Sequence, residues 1–440
     1  MIDLLARRGW VPAGSEDLVQ SMAERAVGLD GPSMQRHLTG LIEANRRIHD
    51  DECLNLNPAT NTMSPAATAA LASGLSTRTS LGYPGAKYEM GLEAIEEIEV
   101  IAAQLASAVF GASFVEFRVP SGAMANLMAF MACAEAGDAI IVPPATIGGH
   151  VTHHTAGVAG LYGLEIHEAP IDADSYSVDL EGLAALAERV RPKLITLGAS
   201  LNLHHHDVAG TRSVADAVGA KLMFDAAHLS GPIAGGAWPN PLDGGADLMT
   251  MSTYKSLAGP TAGLVMTNDP ALAERIDSIA FPGLTANFDV GKTAALALTL
   301  NDWLYFGKAY AAEMVASAAS LADALVAEGV AVYRPGGLAT QSHALALEVT
   351  HLGGGMATAR RLRECNLLTS AIGLPTGEDD GLRIGTNEIV RWGAVAGDMA
   401  EIAALLARAL AEESPDGRGA VAAEVSAFRQ RFDQLAFVTS

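Results

Sequence analysis

MSTYKSLAGPTAG, residues 251–263, decides how the chain is read. An apolar strand runs into Lys255, and a turn rich in Gly and Pro follows. One amine is therefore held at a strand end instead of on a loose surface segment. Upstream, FDAAHLSG (224–231) ends a second apolar strand on Asp225, with His228 just beyond it. PSGAMAN (120–126) joins a strand to a helix through small residues, which leaves backbone N–H groups free at a helix N-terminus. The hydroxyl of Ser121 adds a donor there. TIGGHVTHH (146–154) follows another strand and offers His150.

These motifs sit in an alternating pattern. FVEFRVP (114–120), DAIIVPP (138–144), KLITLGAS (193–200), KLMFDAAH (221–228), ADLMTMST (246–253) and GLVMTND (263–269) read as strands. SGAMANLMAFMACAEA, DLEGLAALAERV (179–190) and SVADAVGA (213–220) read as helices. Such alternation predicts an α/β fold, a mainly parallel, doubly wound sheet with helices on both faces. Ligands bind such sheets beyond the carboxyl ends of the strands, where all four motifs fall. The expected organisation is a helical arm over 1–50, a large domain over 51–310 and a smaller C-terminal α+β domain over 311–440. The last would carry a long Ala-rich helix (309–328) and short strands in AVYRP, HALALEV and GLRIGT.

Composition bounds the function. Of 440 residues, 50% are hydrophobic and 18% charged, which is the make-up of a well-cored enzyme. The net charge, 28 − 50 = −22, argues against a nucleic-acid partner. The N-terminus MIDLLARRGW does not read as a signal peptide, and no apolar run suggests a membrane span. Cys53, Cys133 and Cys365 match no metal or disulfide framework, so a reducing cytoplasm is the expected compartment. His153, His154 and the run 204–206 lack partners at ligand spacing, and no metal is expected.

A rigid lysine, a strand-end carboxylate, a phosphate cradle and an imidazole form the set that pyridoxal 5'-phosphate (PLP) requires. The amine bonds the cofactor aldehyde, and the carboxylate keeps the pyridine nitrogen protonated so that the ring can take up electrons. An imidazole such as His150 can stack on the ring.

In this order the motifs resemble the serine hydroxymethyltransferase family of PLP-dependent enzymes. The likeness runs from about residue 54 to 395 and includes NTMSPAA (61–67), GYPGAKY (82–88), SGAMAN, GGHVTH, VGAKLMFDAAHLSG, STYKSLAGPTAG and GLRIGT (381–386). It implies PLP fold type I with a seven-stranded sheet, and it implies roles. Lys255 matches the Schiff-base lysine, Asp225 the pyridinium partner, His228 the histidine after it and His150 the ring-stacking histidine. Ser121, Gly122 and Ala123 match the phosphate segment, and Ser200 a cofactor-contacting serine. Gly263 matches a glycine reaching the phosphate of a neighbouring subunit. Ser64 and Arg383 match the pair holding the substrate carboxylate, with Tyr88 also on the substrate side. A homodimer or dimer of dimers with shared sites follows from the resemblance.

The departures bear on the reaction. Leu81 replaces the glutamate that handles protons in the folate-dependent reaction. Thr79 and Glu89 replace tyrosines, Tyr254 a histidine, and Ala258 and Thr261 arginines. A carboxylate anchored by Arg383 favours loss of the side chain or the α-proton over decarboxylation. The expected activity is retro-aldol cleavage or formation of the Cα–Cβ bond of a β-hydroxy-α-amino acid, of serine, α-methylserine or threonine type, with weak or no use of tetrahydrofolate. Glu89, His150 and His228 are candidate bases for the hydroxyl proton. Racemisation, transamination and transaldolase chemistry on a small amino acid remain open alternatives.

Overall fold

The computed structural model describes residues 3–439. Contacts divide the chain into a first unit ending at Cys53 and a second beginning at Leu54. Its α-helices are α1 (Ala13–Glu24) and α2 (Gly31–Arg46) in the first unit, and a π-helical turn at Arg47–Glu52 follows. Asp30 caps α2 by accepting from the Ser33 N–H, with proline in the first turn.

The second unit is built on a seven-stranded sheet: β1 (Phe114–Val119), β2 (Ala139–Val142), β3 (Glu165–Glu168), β4 (Leu194–Leu197), β5 (Lys221–Asp225), β6 (Leu248–Ser252) and β7 (Gly263–Thr267). Their order is β1-β7-β6-β5-β4-β2-β3. Pairing is parallel except where β7 runs antiparallel between β6 and β1. LITL in β4 and GLVMT in β7 are buried along their whole length, as expected of strands covered on both faces. The sequence motifs fell on these strands with one omission. Glu165-Ile-His-Glu168 is polar and half exposed, so it carried no strand signal, yet it pairs with β2.

The helix following β1, α3 (Gly122–Cys133), starts at a close approach. A Cβ on Gly122 would lie 2.2 Å from the Ser252 hydroxyl, so only glycine lets the helix N-terminus meet the end of β6. The long helix, α4, spans Val290–Ala327 and so begins well before the expected 309. It is long and apolar enough to cross a membrane by length and composition alone, but it packs on the helices Glu93–Phe110 and Pro65–Leu71. It ties two regions together. Trp303 donates to the Leu257 carbonyl at 2.7 Å, and Tyr310 donates to the Asn387 carbonyl at 2.6 Å.

Beyond α4 a three-stranded antiparallel sheet forms from β8 (Ala344–Glu348), β9 (Ser370–Leu374) and β10 (Gly377–Gly385), in the order β8-β10-β9. AVYRP, expected as a strand, gives only a single bridge from Val332 to Leu347. A buried cluster including Leu321, Leu345, Ile384 and Leu406 forms its core.

Candidate active site

Three consecutive parallel strands deliver four residues to one place. The turn after β4 brings Ser200, the end of β5 brings Asp225 and His228, and the turn after β6 brings Lys255. Together with Ser121, Gly122, Ala123 and His150 they line one cavity. Arg383 joins them from β10. Its guanidinium donates to the Ser200 carbonyl, to Ser370 Oγ at 3.1 and 3.2 Å, and lies 3.4 Å from His228 Nε2.

Asp225 is almost fully buried. Its Oδ2 accepts from Asn126 Nδ2 at 2.8 Å and faces His153 Nε2 at 3.0 Å, and its Oδ1 accepts the Ala227 N–H at 3.0 Å. Burial opposes its ionisation, yet the His153 hydrogen bond, the neighbouring histidines and the Ala227 N–H hold it well below the usual carboxylate range. It is a fixed anion.

Lys255 Nζ lies 3.0 Å from His228 Nε2. Burial, reinforced by the Arg383 charge and opposed by Asp225, lowers the amine to about 8. About a tenth is then neutral and nucleophilic near pH 7, far more than for an ordinary lysine. His228 is held well below its ordinary value by burial and by the same two cations. Its Nε2 faces both cations and accepts, so its proton sits on Nδ1. That atom is buried with no hydrogen-bond partner among the described residues. Arg383 is lowered to about 10 by burial, and it forms no ion pair with a carboxylate among the described residues. A buried guanidinium without a counter-ion is a site prepared for an anion.

His150 is lowered to about 4, chiefly by burial, and is neutral. Its Nδ1 accepts the Thr152 N–H at 3.3 Å and faces the Thr152 hydroxyl at 2.8 Å. Nδ1 therefore has no proton, and Nε2–H is a donor. In this arrangement His150 offers the cavity a donor at Nε2.

Four sequence candidates lie elsewhere. Ser64 is buried and caps the Pro65–Leu71 helix, accepting from the Ala67 N–H at 3.3 Å. Tyr88 is 82% exposed. Glu89 accepts the Leu81 N–H at 3.3 Å, so a carboxylate does sit beside Leu81, but neither lines the Lys255 cavity. Gly263 is not in a turn reaching outward. It opens β7, buried in the sheet, where a Cβ would fall 2.7 Å from the Ser121 carbonyl of its own chain. It holds the Ser121 end of the cradle in place. Asn126 and His153 were present in the quoted motifs, but their contacts to Asp225 join three separate segments and leave no mark in the sequence.

The family model for serine hydroxymethyltransferase matches residues 34–406. The chain belongs to this family. Among its relatives, an alpha-methylserine aldolase of Variovorax paradoxus is 57% identical over 439 residues, covering 99% of both chains. One of Ralstonia sp is 49% identical over 440 residues, covering 99% of this chain and all of that one. The serine hydroxymethyltransferase of Sulfolobus acidocaldarius is 37% identical over 392 residues, covering 88% and 90%. The chain is thus a PLP-dependent enzyme of the hydroxymethyltransferase and aldolase type, with PLP fold type I. The family implies PLP, and the residues fit it. An amine, a fixed carboxylate and a helix N-terminus that a Cβ would fill converge on one cavity, and the orphaned His228 Nδ1–H adds a donor.

Proposed function

We propose that this enzyme is a folate-independent aldolase acting on α-methylserine, cleaving it to alanine and formaldehyde. The observation that carries the reading is full-length similarity to alpha-methylserine aldolases at 49–57% identity, well above the similarity to serine hydroxymethyltransferases. Leu81, which cannot carry a proton, agrees with chemistry that has no folate step.

When bound, PLP supplies an aldehyde for the amino group and a protonated ring that accepts the electrons released from Cα. Lys255 is the amine that holds it. Asp225 keeps the proton on the pyridine nitrogen. The Gly122 end of α3, with Ser121 and Ala123, cradles the phosphate. Arg383 grips the substrate carboxylate through two parallel hydrogen bonds, which leaves the Cα–Cβ bond as the one presented for cleavage. His150, through Nε2–H, donates. His228 takes the proton from the substrate hydroxyl at Nε2 once Lys255 has turned away, the Cα–Cβ bond breaks to release formaldehyde, and return of that proton to Cα completes alanine. Glu89, Tyr88 and Ser64 belong to this scheme only if a neighbouring chain brings its own segment to the site. We accordingly place the enzyme as a cytoplasmic homodimer or dimer of dimers, with large and small domains meeting near residue 310.

The test supplies purified, PLP-loaded enzyme with α-methylserine or serine, with and without tetrahydrofolate. Formaldehyde and alanine should appear from α-methylserine without folate, and serine should be a poor substrate. Turnover of serine that requires folate, with none of α-methylserine, would overturn the reading.

A further inference from the structure

Asn126 has no role in the proposed chemistry, yet its amide bonds groups on three other segments of the site. It is 3% exposed and sits in the second turn of α3. Its Oδ1 accepts from the Thr250 hydroxyl at 2.7 Å, which fixes the orientation of the amide. The two protons on Nδ2 are then aimed at Asp225 Oδ2, 2.8 Å away, and at the Thr152 hydroxyl, 2.9 Å away. His153 Nε2 lies 3.2 Å from the same nitrogen, but both amide protons are already committed and that nitrogen itself donates to Asp225.

Thr152 passes the constraint on. Its oxygen accepts from Asn126, so its one proton is free for His150 Nδ1 at 2.8 Å. The backbone N–H of Thr152 bonds the same Nδ1. Thr250 on β6, Asn126 on α3, Asp225 at the end of β5 and Thr152–His150 in the loop after β2 are thereby joined in one buried chain of donors with a single sense.

We infer that Asn126 is a positioning residue that couples Asp225 to His150 through the Thr152 hydroxyl, so that the ring-nitrogen carboxylate and the cavity imidazole are oriented as one unit. The inference rests on the PLP site proposed above. Loss of the amide removes one of three donors to Asp225 and also the group that orients Thr152. Loss of the Thr152 hydroxyl alone frees only the His150 arm, because Asp225 keeps all its donors.

The test compares PLP-loaded wild type with Asn126→Ala, Thr152→Val and the double variant. The readouts are the dissociation constant of PLP, the pH titration of the bound-cofactor absorbance, KM and kcat for α-methylserine, and thermal stability. Asn126→Ala should weaken PLP retention roughly tenfold or more, the usual range for a hydrogen bond to a charged group, and should move the absorbance titration. Thr152→Val should change KM while leaving PLP retention as in wild type. The double variant should change KM by less than the product of the two single effects. Should Asn126→Ala fold poorly, Asn126→Ser, whose hydroxyl cannot reach both partners, reads the same quantities. A variant that lowers only the thermal midpoint, or single effects that multiply independently, would overturn the coupling. Wild type without PLP on Lys255 would overturn the site reading as well, whereas loaded wild type with an unaltered Asn126→Ala overturns this inference alone.

Discussion

Arg383 shows how far a single residue can be read. Its position in GLRIGT and its chemistry were both visible in the sequence, and the structure adds the reason it waits for an anion. It is buried, held by Ser200 and Ser370, and has no carboxylate partner among the described residues. Lysine at this position would be a point charge unable to form the fork. Arg383→Lys should therefore raise KM for the amino acid about thirtyfold or more, taking the low end, about 2 kcal/mol, of the cost of breaking a buried charge pair. Steady-state kinetics check this, and a wild-type KM would make the arginine structural. Lys255, Asp225 and His228 were legible because each stands at or just past a strand end in a short motif, and His150 because its motif follows β2. Asn126 and His153 were not, since their importance lies in contacts between segments far apart in sequence. The protonation of His150 was also hidden, because it depends on one backbone N–H.

At the scale of elements, the apolar strands could be read directly from continuous runs of Leu, Ile, Val and Met, and the lysine turn from its Gly and Pro. β3 was missed because an edge strand need not be apolar. The first half of α4 was less legible because Gly291 and Gly307 disfavour a helix on propensity alone, and packing overrides them. Gly263 was legible as important, but its place was not. Only the sheet register shows it packed against Ser121. The junction of α3 and β6 gives the prediction for this scale. Gly122→Ala places a methyl group on the Ser252 hydroxyl. It should cost about 1–3 kcal/mol of stability, as overpacking does, and should weaken PLP retention. Ser252→Ala in the same chain removes the hydroxyl and should restore much of the lost thermal stability. If the double variant melts no higher than Gly122→Ala alone, the clash is not the cause.

For the whole molecule, the acidic surface and the well-cored composition were plain from the sequence, while the buried histidines were not. His150 and His206 are lowered to about 4, His343 to about 3, and His228 well below its usual value, each chiefly by burial. In the unfolded chain all four titrate near 6.5. Between that value and about 4 the unfolded state binds more protons than the folded one, so stability falls as pH falls. Each such group contributes a loss of about 1.4 kcal/mol per pH unit in that window. The thermal midpoint should drop steeply below pH 6.5 and be nearly flat with respect to these groups above it. A midpoint that stays level from pH 6.5 to 4.5 would show that the histidines are not held neutral. The most direct measurement of the site itself is borohydride reduction of the PLP-loaded protein followed by peptide mass mapping. The expected result is a pyridoxyl group on Lys255, within the peptide that contains MSTYKSLAGPTAG, and none in Lys255→Ala. A pyridoxyl group on any other lysine, or an unaltered yield in Lys255→Ala, would contradict the assignment on which the proposed chemistry stands.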